Sequence, residues 1–589
     1  MKKQFFFSML AAAAMMASCS SDREVAENSN LLPNGEGYVS IDINLPSVPA
    51  TRAANDDFDD GLPSEYRVRN AALILFDGTT EAGATFSQAY VLSNAAWNDY
   101  TDTPNQITVT RQITQKIKSA TNNLYALVVL NDNGIFTVTS TNTLKVNGAD
   151  FTGTYSDLLA LTSTADFTAQ DILMMNAPLS VLQGNTKTNN PGDAGLEIQT
   201  LAKIDPSCIK ATPAEAEANP AADIFVERAV AKTTVRASST TSFTSSKGNT
   251  VNYTISGWKL DNTNKSSFIA HNVDATAATL SVKSFKSDAV YRMVGSAPVL
   301  PAATNKLYRY YWAIDPNYDD DAATADLNRL SATGVSTWNA LGLDKPEYCK
   351  ENTFDVAHMT YKNTTTALIK ATLNSGTTFY TINGENEVYD AAGYQAAFAD
   401  VYLSRSEVAT WLSANLATPY TATASDFLFT YVTNSSTKVV TVTDVVVKGS
   451  SPLESHLISS YTPCPNTTEI KNILNETKVL KYEGGETYYN VRIKHFGDDL
   501  TPWNDGETPA PSAAAAYNAA ANNDNYYLGR YGMVRNNWYD IEVSAIKKIG
   551  SPVIPTLDGD PTTDDNLESY ISVKMYVLSW AKRTQSVIL

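Results

Sequence analysis

The chain has 589 residues, 43% of them hydrophobic and 18% charged, and a formal net charge of −18. That length exceeds what one hydrophobic core fills, and the apolar share is that of a folded chain, so at least two domains plus processing segments are expected and extensive disorder is set aside. The negative balance, with no Lys/Arg stripe to override it, sets nucleic acid aside as a partner.

The N-terminus carries a secretion signal. Lys2 and Lys3 form a basic start, Phe5 to Ser18 an apolar run too short to span a bilayer, and Met16-Ala17-Ser18-Cys19 closes it with small residues before a cysteine. The position of Cys19 directly after the run favours a lipid on that residue over an ordinary signal peptide with an accidental cysteine. No later run reaches transmembrane length, so this lipid would be the sole membrane attachment, lost if the segment is cut away.

A polar tether to about Glu36 is followed by strict alternation: Val39, Ile41, Ile43 and Leu45 are apolar, Ser40, Asp42 and Asn44 polar. That pattern predicts a half-buried strand. Pro46 to Pro49 and Thr51-Arg52-Ala53-Ala54, running into an Asp-rich stretch, predict an exposed, cleavable loop. Further strands are expected at 70–76, 107–113 and 124–130, the last closed by an Asn131 to Gly134 turn. Thr168 to Asp171 has the pattern of a capping box opening a short helical turn over Ile172 to Met175. Thr233 to Arg236 reads as the last strand of the first domain, and Ser238 to Thr250 as a linker.

Beyond it, alternating or β-branched runs at 251–259, 307–314, 427–432, 438–447, 488–495 and 538–546 predict a second set of strands. One helix is expected, with Ser404 and Glu407 as a capping box and Val408, Trp411, Leu412 and Asn415 at helical spacing. Thr508 to Asn525 reads as a surface excursion. No repeat of 20 to 50 residues is evident. The fold class expected is all-β in the main, two β-sandwich domains in series with a few short helices.

Signals of chemistry are weak. Cys208, Cys349 and Cys464 form an odd set without CxxC spacing, so zinc is not expected and a buried free thiol is the default for each, with room for at most one disulfide. His271, His358, His456 and His495 stand at no recognised catalytic or ligand spacing. Asp315, Asn317, Asp319 and Asp326 resemble a calcium loop, but Pro316 intrudes and Asp320 replaces the expected Gly, so a solvated acidic turn is the reading. No carboxylate pair has a supporting motif; the chain reads as a non-enzyme without metal or cofactor. The 31 tyrosines and 8 tryptophans leave carbohydrate binding open, although such residues usually pack in β cores.

The C-terminus repeats the theme of the first strand. After a polar spacer from Asp558 to Asp565, Ile571, Val573, Met575 and Val577 alternate with Ser572, Lys574 and Tyr576, and Trp580 follows. Each terminal strand presents four aliphatic side chains at period two, so either could fill the same kind of slot between two strands. Cleavage after Arg52 would free the first, and the tail of another copy could replace it. Alternating strands at both chain ends are also ordinary features of sandwiches, and periodicity alone does not choose between these readings.

Five stretches resemble the major fimbrial subunits of Bacteroidales, the FimA- and Mfa-type fimbrillins or type V pilins. They are Asn123–Asp132 (NLYALVVLND), Val226–Lys232 (VERAVAK), Val534–Tyr539 (VRNNWY), Ile546–Gly550 (IKKIG), and Tyr570–Lys574 (YISVK) with Trp580, framed by the signal at Cys19 and by Thr51-Arg52-Ala53. The resemblance implies two transthyretin-like sandwiches, export as an outer-membrane lipoprotein, cleavage between Arg52 and Ala53 by an arginine-specific protease, and assembly into surface fimbriae by strand exchange. Its expected layout is a signal peptide over 1–18, a lipidated propeptide with the first strand over 19–52, sandwiches over 53–237 and 238–557, and a spacer with donor strand over 558–589. Expected partners are further copies of the chain, accessory tip and anchor subunits, and a host or bacterial surface receptor. Family tip subunits tend to lack the tail and anchor subunits to keep their first strand; with both the cut site and the tail, the chain reads as a stalk subunit. Asp315 to Asp326 and Thr508 to Asn525 fall outside the resemblance. A monomeric glycan-binding lipoprotein and an anchor or tip subunit are the alternatives.

Overall fold

The computed structural model describes residues 31–32, 35–45, 62, 65, 67–92, 110–120, 122–182, 196–273, 293–294, 309–310, 313–331, 335–354, 358, 360–493, 495, 531–556 and 571–579. They form a mainly β protein with several sheets and a few short helices, as expected.

The first sheet uses β1 (Glu36–Asn44), β2 (Ala71–Gly78), β3 (Thr85–Val91), β4 (Thr110–Lys118), β5 (Asn123–Leu130), β6 (Met174–Asn176) and β7 (Ala222–Arg228) in the order β3-β2-β5-β6-β7-β1-β4, with Ala202–Ile204 also paired to β5. A short helix, α1 (Pro213–Ala218), precedes β7 and packs over β1 and β4; the Thr212 hydroxyl caps it by accepting the Glu215 N–H. Apolar residues line both faces, which explains why β5 reads as an unbroken apolar run. Leu124, Ala126, Val128 and Leu130 point into a core shared with Val39, Ile41 and Ile43, while Tyr125, Leu127 and Val129 point into a second core with Phe76, Tyr155 and Phe167. The turn after β5 is the expected one, Asn131, Asn133 and Gly134 all having positive φ.

The strand β8 (Ala231–Ala237), expected to close the first unit, belongs elsewhere. It runs parallel to β17 (Asn537–Ile546) and antiparallel to β10 (Glu347–Cys349). The chain changes cores between Val230 and Ala231, because Ala229 and Val230 pack in the first unit while Ala231 and Val235 pack in the second. That second unit is a true two-sheet sandwich. One sheet is β10-β8-β17-β18, where β18 is Ile571–Ser579; the other is Ser242–Thr244, β9 (Thr250–Asp261), β11 (Thr366–Leu373) and β16 (Glu486–Arg492). Trp258, Ile369, Tyr489, Tyr539 and Ile541 fill the space between. The stretch expected as a linker therefore carries a strand, Ser242–Thr244, hydrogen-bonded to β9.

A third body interrupts the sandwich between β11 and β16. Here β12 (Phe379–Ile382), β13 (Phe427–Thr433), β14 (Val439–Val447) and β15 (Val479–Tyr482) form a sheet in the order β12-β15-β14-β13. It is covered by α2 (Ala391–Leu403), α3 (Ser406–Asn415) and α4 (Thr468–Asn475), with Phe398, Tyr402, Trp411 and Leu474 in its core. The stacked rings of Phe379 and Tyr482, 4.5 Å apart, join it to the sandwich core. The expected helix exists as α3 and Trp411 is core packing, but its capping box does not form. Ser404 ends α2, and Arg405 stands at the N-cap of α3 without a side-chain cap bond. Likewise Thr168 to Asp171 opens no helix: the Asp171 carboxylate is taken by Arg69, and the chain passes into strand β6.

The first unit and the sandwich are fastened by buried charge. Lys232, with Glu65 3.0 Å away, lies 3.6 Å from the ring centre of Trp538, and both charged groups are out of water. Tyr348 donates its hydroxyl to the same carboxylate, and the Arg228 guanidinium donates to the Glu65 carbonyl at 2.8 Å. Asn536 accepts from the Arg228 N–H and donates its own N–H to Val230. Beside it Arg535 pairs with Glu351 at 2.8 Å, and His271 contacts Glu227. Val226–Lys232 and Val534–Tyr539, two of the stretches that carry the resemblance, thus meet here.

Candidate functional site

The N-terminal strand sits inside the first sheet. On one side β1 runs parallel to β7, with Ile41, Asp42, Ile43 and Asn44 in register with Ala222, Asp223, Ile224 and Phe225; on the other it runs antiparallel to β4 along its whole length. Val39, Ile41, Ile43 and Leu45 are buried among Leu73, Ile113, Ile204 and Ile224. Burying four such side chains is worth about 6–12 kcal/mol before entropy costs. Tyr38 exchanges both backbone hydrogen bonds with Lys210, and the Ser40 carbonyl accepts from Ala221 at 2.7 Å.

The walls of this slot have holdings of their own. β4 has β1 as its sheet neighbour, but one end is clamped to β3 through Gln88, whose amide bonds both the N–H and the carbonyl of Lys118 at 3.0 and 3.1 Å. Toward the other end Gln112 and Thr114 bond Glu217 of α1 at 3.0 and 3.1 Å. β4 is thus held through Gln88 and α1 as well as by β1. Sequence reasoning found the occupant of the slot and missed these walls. Neither Gln88 nor Glu217 bears a spacing signal, since their partners are set by the fold.

The C-terminal strand is placed differently. β18 lies antiparallel to β17, its one strand partner among the described residues, with a bulge between Val543 and Ala545. Ile571 is buried in that core; for Val573, Met575 and Val577 the backbone alone is described. Both terminal strands are therefore paired within the subunit, the first on two sides and the last on one. Cys19, Arg52, Ala53 and Trp580 lie outside the described residues.

The remaining candidates are structural. Cys349 and Cys464 are buried free thiols in separate cores, and Cys208 is a partly exposed one. His495 meets the Tyr539 hydroxyl at 2.9 Å and His456 the Thr418 hydroxyl at 2.7 Å. Among the described residues no group of three His, Cys, Asp or Glu could hold a metal ion. The acidic turn is only partly solvated. Asp319 and Asp320 are exposed, whereas Asp315 is buried and accepts the N–H groups of Thr353 and Asn317. Burial pushes its carboxyl up to about 7, further raised by Glu351 and partly offset by those N–H donors. Because the folded value lies above that of an unfolded aspartate, the stability contributed here is complete below about pH 4 and is lost as pH rises through 7. Asp315→Asn is expected to flatten the fall in melting temperature between pH 4.5 and 7.5; an unchanged profile would contradict this assignment.

Residues 514–586, which include β17 and β18, match the family described as major fimbrial subunit protein type IV, fimbrillin, C-terminal. No curated protein matches the chain. Among solved structures, it is 12% identical to the fimbrilin FimA of Porphyromonas gingivalis W83, over 92% of this chain and 99% of that one, with a TM-score of 0.34. It is 13% identical to the tip fimbrial protein Mfa3 of Porphyromonas gingivalis with C-terminal truncation, over 92% and 100%, with a TM-score of 0.27. A fimbrial assembly protein of Parabacteroides distasonis ATCC 8503 matches at 10% identity over 58% of this chain and 99% of its own, with a TM-score of 0.22. The class of protein that the chain resembles is the fimbrillin-type subunit. Its C-terminal segment carries the family match.

Proposed function

We propose that this chain is a structural stalk subunit of cell-surface fimbriae, without catalytic activity, exported as an outer-membrane lipoprotein through Cys19 and matured by an arginine-specific protease between Arg52 and Ala53. Cleavage releases β1, and the tail of another copy, β18, fills the vacated slot. The observation that supports this most is the asymmetry of the two terminal strands among the described residues: β1 is an internal strand whose departure opens a walled apolar groove, and β18 is an edge strand held by one ladder. An incoming strand would gain hydrogen bonds on both sides, each worth about 1 kcal/mol net. The protease, tip and anchor subunits and a surface receptor are the partners this role requires, and the domain layout is two sandwiches in series, the second carrying the inserted third body.

Glu65 gives the cleaved chain a fixed point near its start. It lies a dozen residues beyond Ala53 and is buried against Lys232, so the cleaved chain stays held at the junction from Glu65 when β1 leaves. N-terminal sequencing of protein sheared from cells is expected to begin at Ala53. A mature chain beginning at Cys19 would instead make it a membrane-retained anchor.

A second reading rests on the burial of Ile571 in its own core. It takes both terminal strands as permanently paired and the chain as a monomeric surface lipoprotein that binds glycans. A defined glycan affinity with no polymer after cleavage would favour it.

A further inference from the structure

The slot between β4 and β7 is selective on its second face, and that face fixes how a replacement strand must lie. Ser40 is fully buried there, on the sheet face opposite Val39, Ile41 and Ile43, and its partner across the ladder, Thr114, bonds Glu217 of α1, which packs on β1 and β4. Asp42 and Asn44, next on the same face, are half-exposed. A replacement therefore needs aliphatic residues at the places of Val39, Ile41, Ile43 and Leu45, and a small one at the place of Ser40.

The tail satisfies this in one way. Running in the direction of β1 with Ile571 at the place of Val39, it puts Ser572 at that of Ser40 and Val573, Met575 and Val577 at those of Ile41, Ile43 and Leu45. Moved two residues one way, it would bury the Lys574 ammonium at the Ser40 place; moved two the other way, it would put Tyr570 there and Ser569 in the core. Reversed with its four aliphatic residues in the core positions, it would put Tyr576 there. The preceding pair agrees: Tyr38-Val39-Ser40-Ile41 and Tyr570-Ile571-Ser572-Val573 share one pattern. In this seating Ser569 would fall at the place of Gly37, where an added Cβ would lie 2.5 Å from the Ile209 side chain, so pairing of the tail would begin at Tyr570.

Resting on the strand exchange proposed above, we infer that the tail seats with Ser572 in the place of Ser40, and that Lys574 thereby replaces Asp42 beside Asp223 of the acceptor copy. Asp42 is in register with Asp223 on β7 and with Gln112 on β4. The resident strand thus places an aspartate in register with Asp223, and the incoming strand would place a lysine there. Like charges in register disfavour a strand pair and opposite charges favour it, so the exchange of Asp42 for Lys574 gives the replacement a direction as well as a register.

The test uses the full-length chain, cleaved by an arginine-specific protease, with the rate of SDS-resistant ladder formation as readout. Lys574→Glu is expected to slow assembly about tenfold, and Lys574→Glu with Asp223→Lys to restore it. Ser572→Tyr is expected to block assembly while leaving the circular dichroism spectrum and melting temperature of the uncleaved monomer unchanged. If wild-type chains assemble and Lys574→Glu or Ser572→Tyr assembles at the wild-type rate, or if the double variant does not recover, this seating is wrong while strand exchange stands. If cleaved wild-type chains stay monomeric, the exchange itself fails and the seating with it.

Discussion

Purified precursor treated with an arginine-specific protease is expected to run as an SDS-resistant ladder, and the same chain lacking residues 570–589 is expected to stay monomeric after identical treatment. Cutting after Arg52 severs the strand that buries Val39, Ile41, Ile43 and Leu45, and a groove lined by Leu73, Ile113 and Ile224 is then driven to refill by about 6–12 kcal/mol of apolar burial before entropy costs. A tail supplied by another copy meets that need and leaves one groove and one tail free at the two ends, so the contact propagates as a filament. The truncated chain loses Ile571 from its own core, so its circular dichroism spectrum must match that of the wild type for its failure to count. A cleaved wild-type chain that remains monomeric, or a truncated one that polymerises, would overturn the account.

Lys232→Ala is expected to be among the most damaging single substitutions in the chain. Lys232 and Glu65 are both buried, and removing one partner leaves an uncompensated charge at a cost of about 3–5 kcal/mol. With Glu65 also held by Tyr348, the lost tie loosens the approach of the first unit to the sandwich, and a fall in melting temperature of about 10 °C follows for a unit of this size. Lys232→Met with Glu65→Gln, which removes both charges, is expected to recover much of the loss. Differential scanning calorimetry of the two variants decides it: equal melting temperatures for Lys232→Ala and wild type would show that the pair carries no stability.

The parts of the fold that were legible in the sequence are those in which local pattern and tertiary role agree. β1 and β17 alternate because one face meets a core, and β5 is continuously apolar because both faces do. The third body was not legible as a unit. Its helix α2, Ala391–Leu403, has alanines around most of its circumference and so no clear apolar stripe, although Tyr394, Phe398 and Tyr402 are buried. The false helix start at Thr168 to Asp171 failed for a tertiary reason: Asp171 has Arg67 and Arg69 as ion partners, which lie far away in sequence. For the candidate site, the aliphatic occupants were visible and their surroundings were not. Ser40 reads as a solvent-facing residue by alternation, yet it is buried, on a strand against which α1 packs. The burial of Arg228 and Lys232 carries no local signal either; their partner Glu65 is 163 and 167 residues away.

A cryo-electron microscopy map of filaments assembled from cleaved chains bears most directly on the central claim. It is expected to show Ile571 to Val577 of one subunit lying between β4 and β7 of the next, parallel to β7, with that subunit's own residues 36–45 gone. A map in which β18 still lies along β17 of its own subunit, with Val39 to Leu45 in place between β4 and β7, would contradict it.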